Sequence, residues 1–189
     1  AELEKVQLLN FDIDQYLKDG DATVAACAQA KAVADEIHEQ GYENIFLLGI
    51  GGTYDELDMV RYFMKKYSEV EVHLVNAAEL NVMGDNRLKK DSVVVTASAS
   101  GDTKEIVKAV ENITAQGIRV VAFTREDTPL GKLATTVISA PVATGRCDFT
   151  YLLFQAFALR LLNLRFFKAS WATELLYSFS AKSSSLSAE

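Results

Sequence analysis

The stretch Val93-Val94-Val95-Thr96-Ala97-Ser98-Ala99-Ser100-Gly101-Asp102-Thr103-Lys104-Glu105-Ile106 decides how the rest of the chain is read. Its β-branched opening favours an extended strand. Small hydroxylated residues and a glycine follow, and then Ile106, Val107, Val110 and Ile113 recur at helical spacing. The order is therefore strand, tight loop, helix. A helix N-terminus leaves backbone N–H groups unpaired and carries partial positive charge, so it attracts anions. Ser98, Ser100 and Thr103 add three hydroxyl groups, and Gly101 lets the backbone approach an anion closely. Two readings stay open on this segment alone. It is an anion cradle that uses no lysine, or an ordinary N-cap, since Ser, Thr, Asp and Gly cap helices in any case.

The same order recurs on both sides. Residues 44–49 (Asn-Ile-Phe-Leu-Leu-Gly) form a short apolar run, as expected of a strand buried on both faces. Gly51, Gly52 and Thr53 follow, and a helix to about residue 67 carries Leu57, Val60, Tyr62, Phe63 and Met64. Further strands are expected at 70–75, 92–97, 118–124 and 135–140, with helices at 76–83 and 102–116 and a helical turn after Pro129. Upstream, residues 21–40 read as an Ala-rich helix whose apolar stripe is Val24, Ala28, Val33 and Ile37, ended by Gly41. Strands alternating with helices predict a three-layer α/β/α sandwich around a five-stranded parallel sheet. Both glycine-containing loops then leave carboxyl ends of strands, the edge where open α/β sheets bind ligands.

Residues 1–20 read as an N-terminal extension, 21–168 as the domain, and 169–189 as a C-terminal helix with a Ser-rich tail. Residues 149–167 are almost continuously apolar, but Gln155, Arg160, Asn163 and Arg165 interrupt them, which argues against a membrane span. A helix apolar on most faces must be buried on most faces. Homo-oligomerisation through 149–167 is the expectation, with burial inside the chain as the alternative.

With 19 Lys plus Arg against 26 Asp plus Glu, the net charge is −7, which opposes general binding to nucleic acid or to an anionic membrane. An anionic ligand then needs a local site of oriented dipoles. The two cysteines, Cys27 and Cys147, are far apart and form no CxxC or Cys/His cluster, so no metal or other cofactor is expected. Cys27 reads as a small buried hydrophobe on a helix. The first residues, Ala-Glu-Leu-Glu, lack the basic and apolar regions of a signal peptide, and a cytoplasmic setting is expected.

At this point the residues resemble a family, the sugar isomerase (SIS) domain. Gly49-Ile50-Gly51-Gly52-Thr53 is similar to its G-x-G-x-S/T turn. Ser98-Ala99-Ser100-Gly101-Asp102-Thr103 is similar to its S-x-S-G-x-T phosphate loop. Val75-Asn76-Ala77-Ala78-Glu79-Leu80 looks like the small-small-Glu-apolar segment of its two-lobed members. The chain most resembles the first lobe of fructosamine- or fructoselysine-6-phosphate deglycases and of glucosamine-6-phosphate synthase isomerase domains. The resemblance implies a Rossmann-like SIS fold and a phosphorylated sugar or sugar–amine conjugate as ligand. It places Gly51, Gly52, Thr53, Ser98, Ala99, Ser100, Gly101 and Thr103 around the phosphate. Ala99 stands where some relatives carry Gln or Asn, and Thr53 adds a methyl group to the more usual Ser. Glu79 is expected to approach the sugar or, in preference, to brace the phosphate loop. The side chain of Asp102 is expected to point away from the phosphate.

Aldose–ketose isomerisation or fructosamine deglycation needs a general acid/base near the sugar. The chain has only two histidines. His38 is placed by sequence near a helix C-terminus and His73 inside a strand, so neither reads as catalytic. Glu79 and Glu174 are the remaining candidates, Glu174 by recruitment across a dimer. The catalytic group is otherwise expected from a second lobe or subunit. A non-catalytic phosphosugar sensor is the alternative function. A nucleotide site lacks both the G-x-G-x-x-G sequence and a Walker lysine.

Overall fold

The structure, a computed structural model, describes residues 12–139 and 147–166. Glu174, the C-terminal helix and tail at 169–189, and residues 1–11 of the N-terminal extension lie outside the described residues. The elements run α1 (Ile13–Gln40), β1 (Asn44–Gly49), α2 (Gly52–Tyr67), β2 (Glu71–Asn76), α3 (Ala77–Met83) and β3 (Val93–Ala97). They continue with α4 (Lys104–Ala115), β4 (Arg119–Thr124), α5 (Pro129–Leu133), β5 (Thr136–Ser139) and α6 (Cys147–Phe166). All four strand pairings are parallel, in the order β2-β1-β3-β4-β5.

Alternation along each strand sends side chains to two separate cores. Ile45, Leu47, Val93, Val95, Val121 and Phe123 face α1, α2 and α6. Phe46, Leu48, Val94, Val120 and Ala122 face α3, α4 and α5. Every residue of β1 and β3 is buried, as a strand covered on both faces requires. The expected three-layer sandwich is the observed fold.

α1 differs from its sequence reading in length and in phase. It starts at Ile13, where Asp12 Oδ1 accepts the Gln15 N–H at 3.0 Å, so the helix runs through the expected boundary at residue 20. Its buried face is Asp19, Thr23, Ala30, Val33, Ala34 and Ile37, while Val24 and Ala28 face outward. The physical reason is close approach: Ala30 and Ala34, both fully buried, lie in the core that also holds Ala156 and Ala158 of α6. Arg160 seals this contact with a bidentate pair to Asp35, Nε to Oδ1 at 2.6 Å and Nη2 to Oδ2 at 3.1 Å. Cys27 is half-buried rather than enclosed, and that burial pushes its thiol above the usual range.

α6 packs between α1 and α2. Leu153, Phe154, Ala156, Phe157, Ala158, Leu161 and Leu162 are buried, and Tyr151, Leu152, Leu159 and Leu164 are half-buried. Phe123 of β4 meets Phe154 and Phe157 edge-on, with ring centroids 4.7 and 6.0 Å away. Part of the cover that this helix needs is thus supplied within the chain, which leaves Tyr151, Leu152, Leu159 and Leu164 partly open. Among the described residues no helix is long and apolar enough to cross a membrane.

The sheet edge at β5 is occupied by a side chain. Gln29 of α1 donates from Nε2 to the Val137 carbonyl and accepts the Ser139 N–H, both at 3.1 Å. One amide thereby takes the place of a sixth strand and blunts the edge. At the opposite end, Arg87 pairs with Asp85 through Nε to Oδ1 at 2.9 Å and Nη2 to Oδ2 at 2.6 Å. This guanidinium holds the Asp85 carboxyl below the usual carboxylate range.

Two outcomes follow from this packing. Phe154→Ala is expected to lower the unfolding free energy by about 3–5 kcal/mol in urea titrations; a loss no larger than that of Met59→Ala, which is 36% exposed, contradicts the described core. Because the folded-state pKa of Asp85 lies below its unfolded value, its stabilisation is complete above about pH 4 and is lost as pH falls through the lowered folded value. Arg87→Ala is expected to raise the Asp85 carboxyl, followed by NMR titration, back toward the usual carboxylate range; an unchanged titration contradicts the assigned cause.

Candidate phosphate-binding site

The chain leaves β1 toward β2 on one side and later passes from β3 toward β4 on the other, so the strand order reverses between β1 and β3. These two strands pair directly, with Leu48 opposite Thr96. Thr96 Oγ1 ties them further by donating to the Leu48 carbonyl at 2.8 Å. The loops leaving such a pair at its carboxyl ends diverge and open a crevice, the usual ligand position in open α/β sheets. Here the two loops are Gly49–Thr53 and Ser98–Thr103. The structure therefore brings Gly51, Gly52 and Thr53 to one wall and Ser98, Ala99, Ser100, Gly101 and Thr103 to the other.

Each wall ends in a helix whose N-terminus lacks a side-chain cap. At α2 the N-cap position is Gly51 (φ 56), which has no side chain to offer. Gly49 is needed for a different reason: a Cβ there would lie 2.6 Å from Tyr54 Cα, where the first turn of α2 crosses β1. At α4 the N-cap position is Thr103, yet its hydroxyl caps nothing. The helix starts at Lys104, two residues later than its periodicity suggests. The other helices with a described N-terminus are capped. Asp12 caps α1, Asn76 caps α3 through the Ala78 and Glu79 N–H groups, and Thr128 caps α5 through the Gly131 N–H. The ordinary N-cap reading of the loop therefore fails, and the first amides of α2 and α4 are left without a side-chain acceptor.

The loop hydroxyls instead bond one another. Ser98 is buried, and its Oγ accepts the Gly101 N–H at 3.0 Å while lying 3.0 Å from Thr103 Oγ1 and 3.5 Å from Ser100 Oγ. Ser100 Oγ also accepts the Asp102 N–H at 3.4 Å. Ala99, Ser100 and Asp102 are exposed, and Thr53 and Thr103 are half-buried. Ser98 is thus the interior hub of the loop, with Ser100 and Thr103 on its open side.

The β4–α5 segment holds this loop from below. Thr124 Oγ1 donates to the Ser98 carbonyl at 2.9 Å, and the Leu130 N–H donates to the Gly101 carbonyl at 2.9 Å. Gly101 takes φ 70, and a Cβ there would overlap the Thr128 side chain. Sequence reading missed Thr124 and Thr128. Thr128-Pro129 does carry a local helix-start signal, but its partner is distant in the chain.

The carboxylates and histidines are placed less favourably for the expected roles. Glu79 is exposed on α3, and among the described residues its side chain makes no hydrogen bond to the loop. The bracing expected of it falls to Asn81, whose Nδ2 donates to the Glu105 carbonyl in the first turn of α4 at 2.9 Å. Glu56, which the sequence reading did not single out, is buried on α2 just past its first turn. His38 sits in the last turn of α1, at the edge of the sheet away from the crevice. His73 is buried on β2 against the Phe46 ring, centroids 4.7 Å apart, with Nε2 2.9 Å from Glu71 Oε1. Among the described residues no group of three His, Cys, Asp or Glu could hold a metal ion.

Comparisons with known proteins agree with this fold. The chain is 25% identical over 124 residues to the isomerizing glutamine–fructose-6-phosphate aminotransferase of Pyrococcus horikoshii, covering 66% of this chain and 20% of that protein. It is 25% identical over 104 residues to the fructoselysine 6-phosphate deglycase of Escherichia coli, covering 54% of this chain and 31% of that one. The chain thus matches less than a third of the length of either relative. Among solved structures, the C-terminal domain of glucosamine-fructose-6-phosphate aminotransferase from Francisella tularensis superposes with a TM-score of 0.74 at 13% identity, over 95% of this chain and 56% of that one. The Vibrio vulnificus NanR protein complexed with ManNAc-6P superposes with a TM-score of 0.59 at 18% identity, over 94% and 70%. The SIS domain model matches residues 37–163, from the last turns of α1 through most of α6. By the fold, the two crevice loops and this match, the chain belongs to the SIS domain family.

Proposed function

We propose that this domain binds a phosphorylated sugar, or a sugar–amine conjugate, by its phosphate in the crevice between β1 and β3. One observation carries the reading: the two helices that open onto this crevice lack the side-chain caps found on α1, α3 and α5. A phosphate oxygen is the acceptor their amides lack. Thr53, Ser100 and Thr103 supply hydroxyl donors, and Ser98 keeps the loop open by holding Gly101 and Thr103. No lysine or arginine belongs to either loop. The attraction comes from amide dipoles and hydroxyls acting at short range within a chain of net charge −7.

The relatives' names support an isomerase or deglycase setting, in which this domain is one lobe and the acid/base group comes from a second lobe or subunit. Neither described histidine lies on the two loops, and Glu79 is the carboxylate of the family-like segment 75–80. A second reading, a phosphosugar sensor without chemistry, draws on the same site. It is favoured by the positions of His38 in the last turn of α1 and His73 within β2, neither of them on the two loops.

Incubation with fructose 6-phosphate, arabinose 5-phosphate and fructoselysine 6-phosphate separates the two. Turnover that falls on Glu79→Gln supports the enzyme, and thermal stabilisation without turnover supports the sensor. The mass in solution reports whether a second subunit is present to complete the site. Ser100→Ala and Thr103→Ala are each expected to weaken phosphosugar binding by about tenfold or more, the loss of one hydrogen bond to a charged group, with Tm retained. Wild-type affinity in both variants overturns the phosphate-loop assignment.

A further inference from the structure

The β4–α5 segment touches no part of the two family-like motifs in sequence, yet it determines the shape of one of them. We propose that Thr128 is a positioning residue for ligand binding, and that it holds the Ser98–Thr103 loop in its anion-binding form through Gly101. The proposal rests on the phosphate-loop reading given above.

Proton accounting shows what the Thr128 hydroxyl does. It donates to the Arg125 carbonyl at 2.7 Å and accepts the Gly131 N–H at 3.1 Å. Thr124 spends its own proton on the Ser98 carbonyl at 2.9 Å. The 3.4 Å approach between the Thr124 and Thr128 hydroxyls is therefore packing, since neither has a proton left to give. Thr128 closes the turn 125–131 on itself, and that closed turn presents the Leu130 N–H to the Gly101 carbonyl at 2.9 Å. Gly131 belongs to the same device, because a Cβ there would overlap the Arg125 carbonyl.

The contact on Gly101 is steric as well. Thr128 is buried, and its Cβ, Oγ1 and Cγ2 fill the space that a side chain at 101 would need. Gly101 is pressed against this wall at φ 70. In that position its N–H reaches Ser98 Oγ at 3.0 Å, which in turn fixes Thr103 Oγ1 at 3.0 Å. A chain of contacts thus runs Gly131–Thr128–Gly101–Ser98–Thr103, from a turn outside the motifs to a hydroxyl proposed to meet the phosphate. Loss of the Thr128 hydroxyl opens the turn, releases the Gly101 carbonyl and lets the loop amides leave their anion-binding orientation.

Two substitutions separate hydroxyl from shape. Thr128→Val keeps the wall against Gly101 but removes both hydrogen bonds, and Thr128→Ser keeps the hydroxyl. In the full chain, calorimetric titration with fructose 6-phosphate is expected to give a Kd about fivefold to tenfold higher for Thr128→Val, the scale of one lost cap, and within about twofold of wild type for Thr128→Ser. A purely structural role lowers Tm but leaves Kd unchanged while the native state dominates. Amide hydrogen exchange supplies a readout without ligand. Faster exchange at Gly101 and Leu130 in Thr128→Val, with β3 and α4 unchanged, is expected. Wild-type exchange at both amides overturns the proposal, as does wild-type Kd in a folded Thr128→Val. If Ser100→Ala, Thr103→Ala and wild type bind fructose 6-phosphate alike while exchange rises as described, the loop is positioned by Thr128 but the phosphate reading is wrong.

Discussion

The direct pairing of β1 with β3 is the constraint on which the rest of the structure depends. It places the reversal of strand order in the sheet and sets two uncapped helix N-termini side by side. In the sequence the Gly51–Thr53 turn and the Ser98–Thr103 loop are separated by α2, β2, α3 and β3. This pairing, reinforced by Thr96 on the Leu48 carbonyl, brings them to neighbouring positions at the carboxyl edge of the sheet. The two cores pack the pair on either face, and the loops leave it at the edge where open α/β sheets bind ligands.

The acidic background makes the local chemistry of that crevice decisive. A net charge of −7 repels an anion at long range. A helix terminus acts over its first turn only, so it attracts a phosphate that has already approached, and hydroxyl donors add directional bonds. Asp55 and Glu105, in the first turns of α2 and α4, interact favourably with the same termini. Recognition by amides and hydroxyls suits a ligand that must be held at one end and released after use.

Much of this was legible from residue patterns, and the failures have physical causes. β-branched and apolar runs marked the strands, most plainly β1 and β3, whose every residue is buried. The α1 stripe was misplaced because packing there is decided by small residues. Ala30 and Ala34 are buried for their lack of bulk, whereas the larger Val24 faces outward. α6 left both association and burial within the chain open, since an all-round apolar helix shows no face; α1 and α2 pack against it within the chain. At the site, both loops were recognisable from local composition. Thr124, Thr128 and the bracing role of Asn81 were not, because each acts on a carbonyl or glycine remote in sequence.

The most direct test of the central claim is amide NMR of the isotope-labelled chain titrated with fructose 6-phosphate. The account predicts that the largest shifts fall on the amides of Gly52, Thr53, Ser100, Gly101, Thr103 and Lys104, at both walls together and with one common Kd. Shifts confined to one wall, or centred on residues away from the β1–β3 crevice, contradict it.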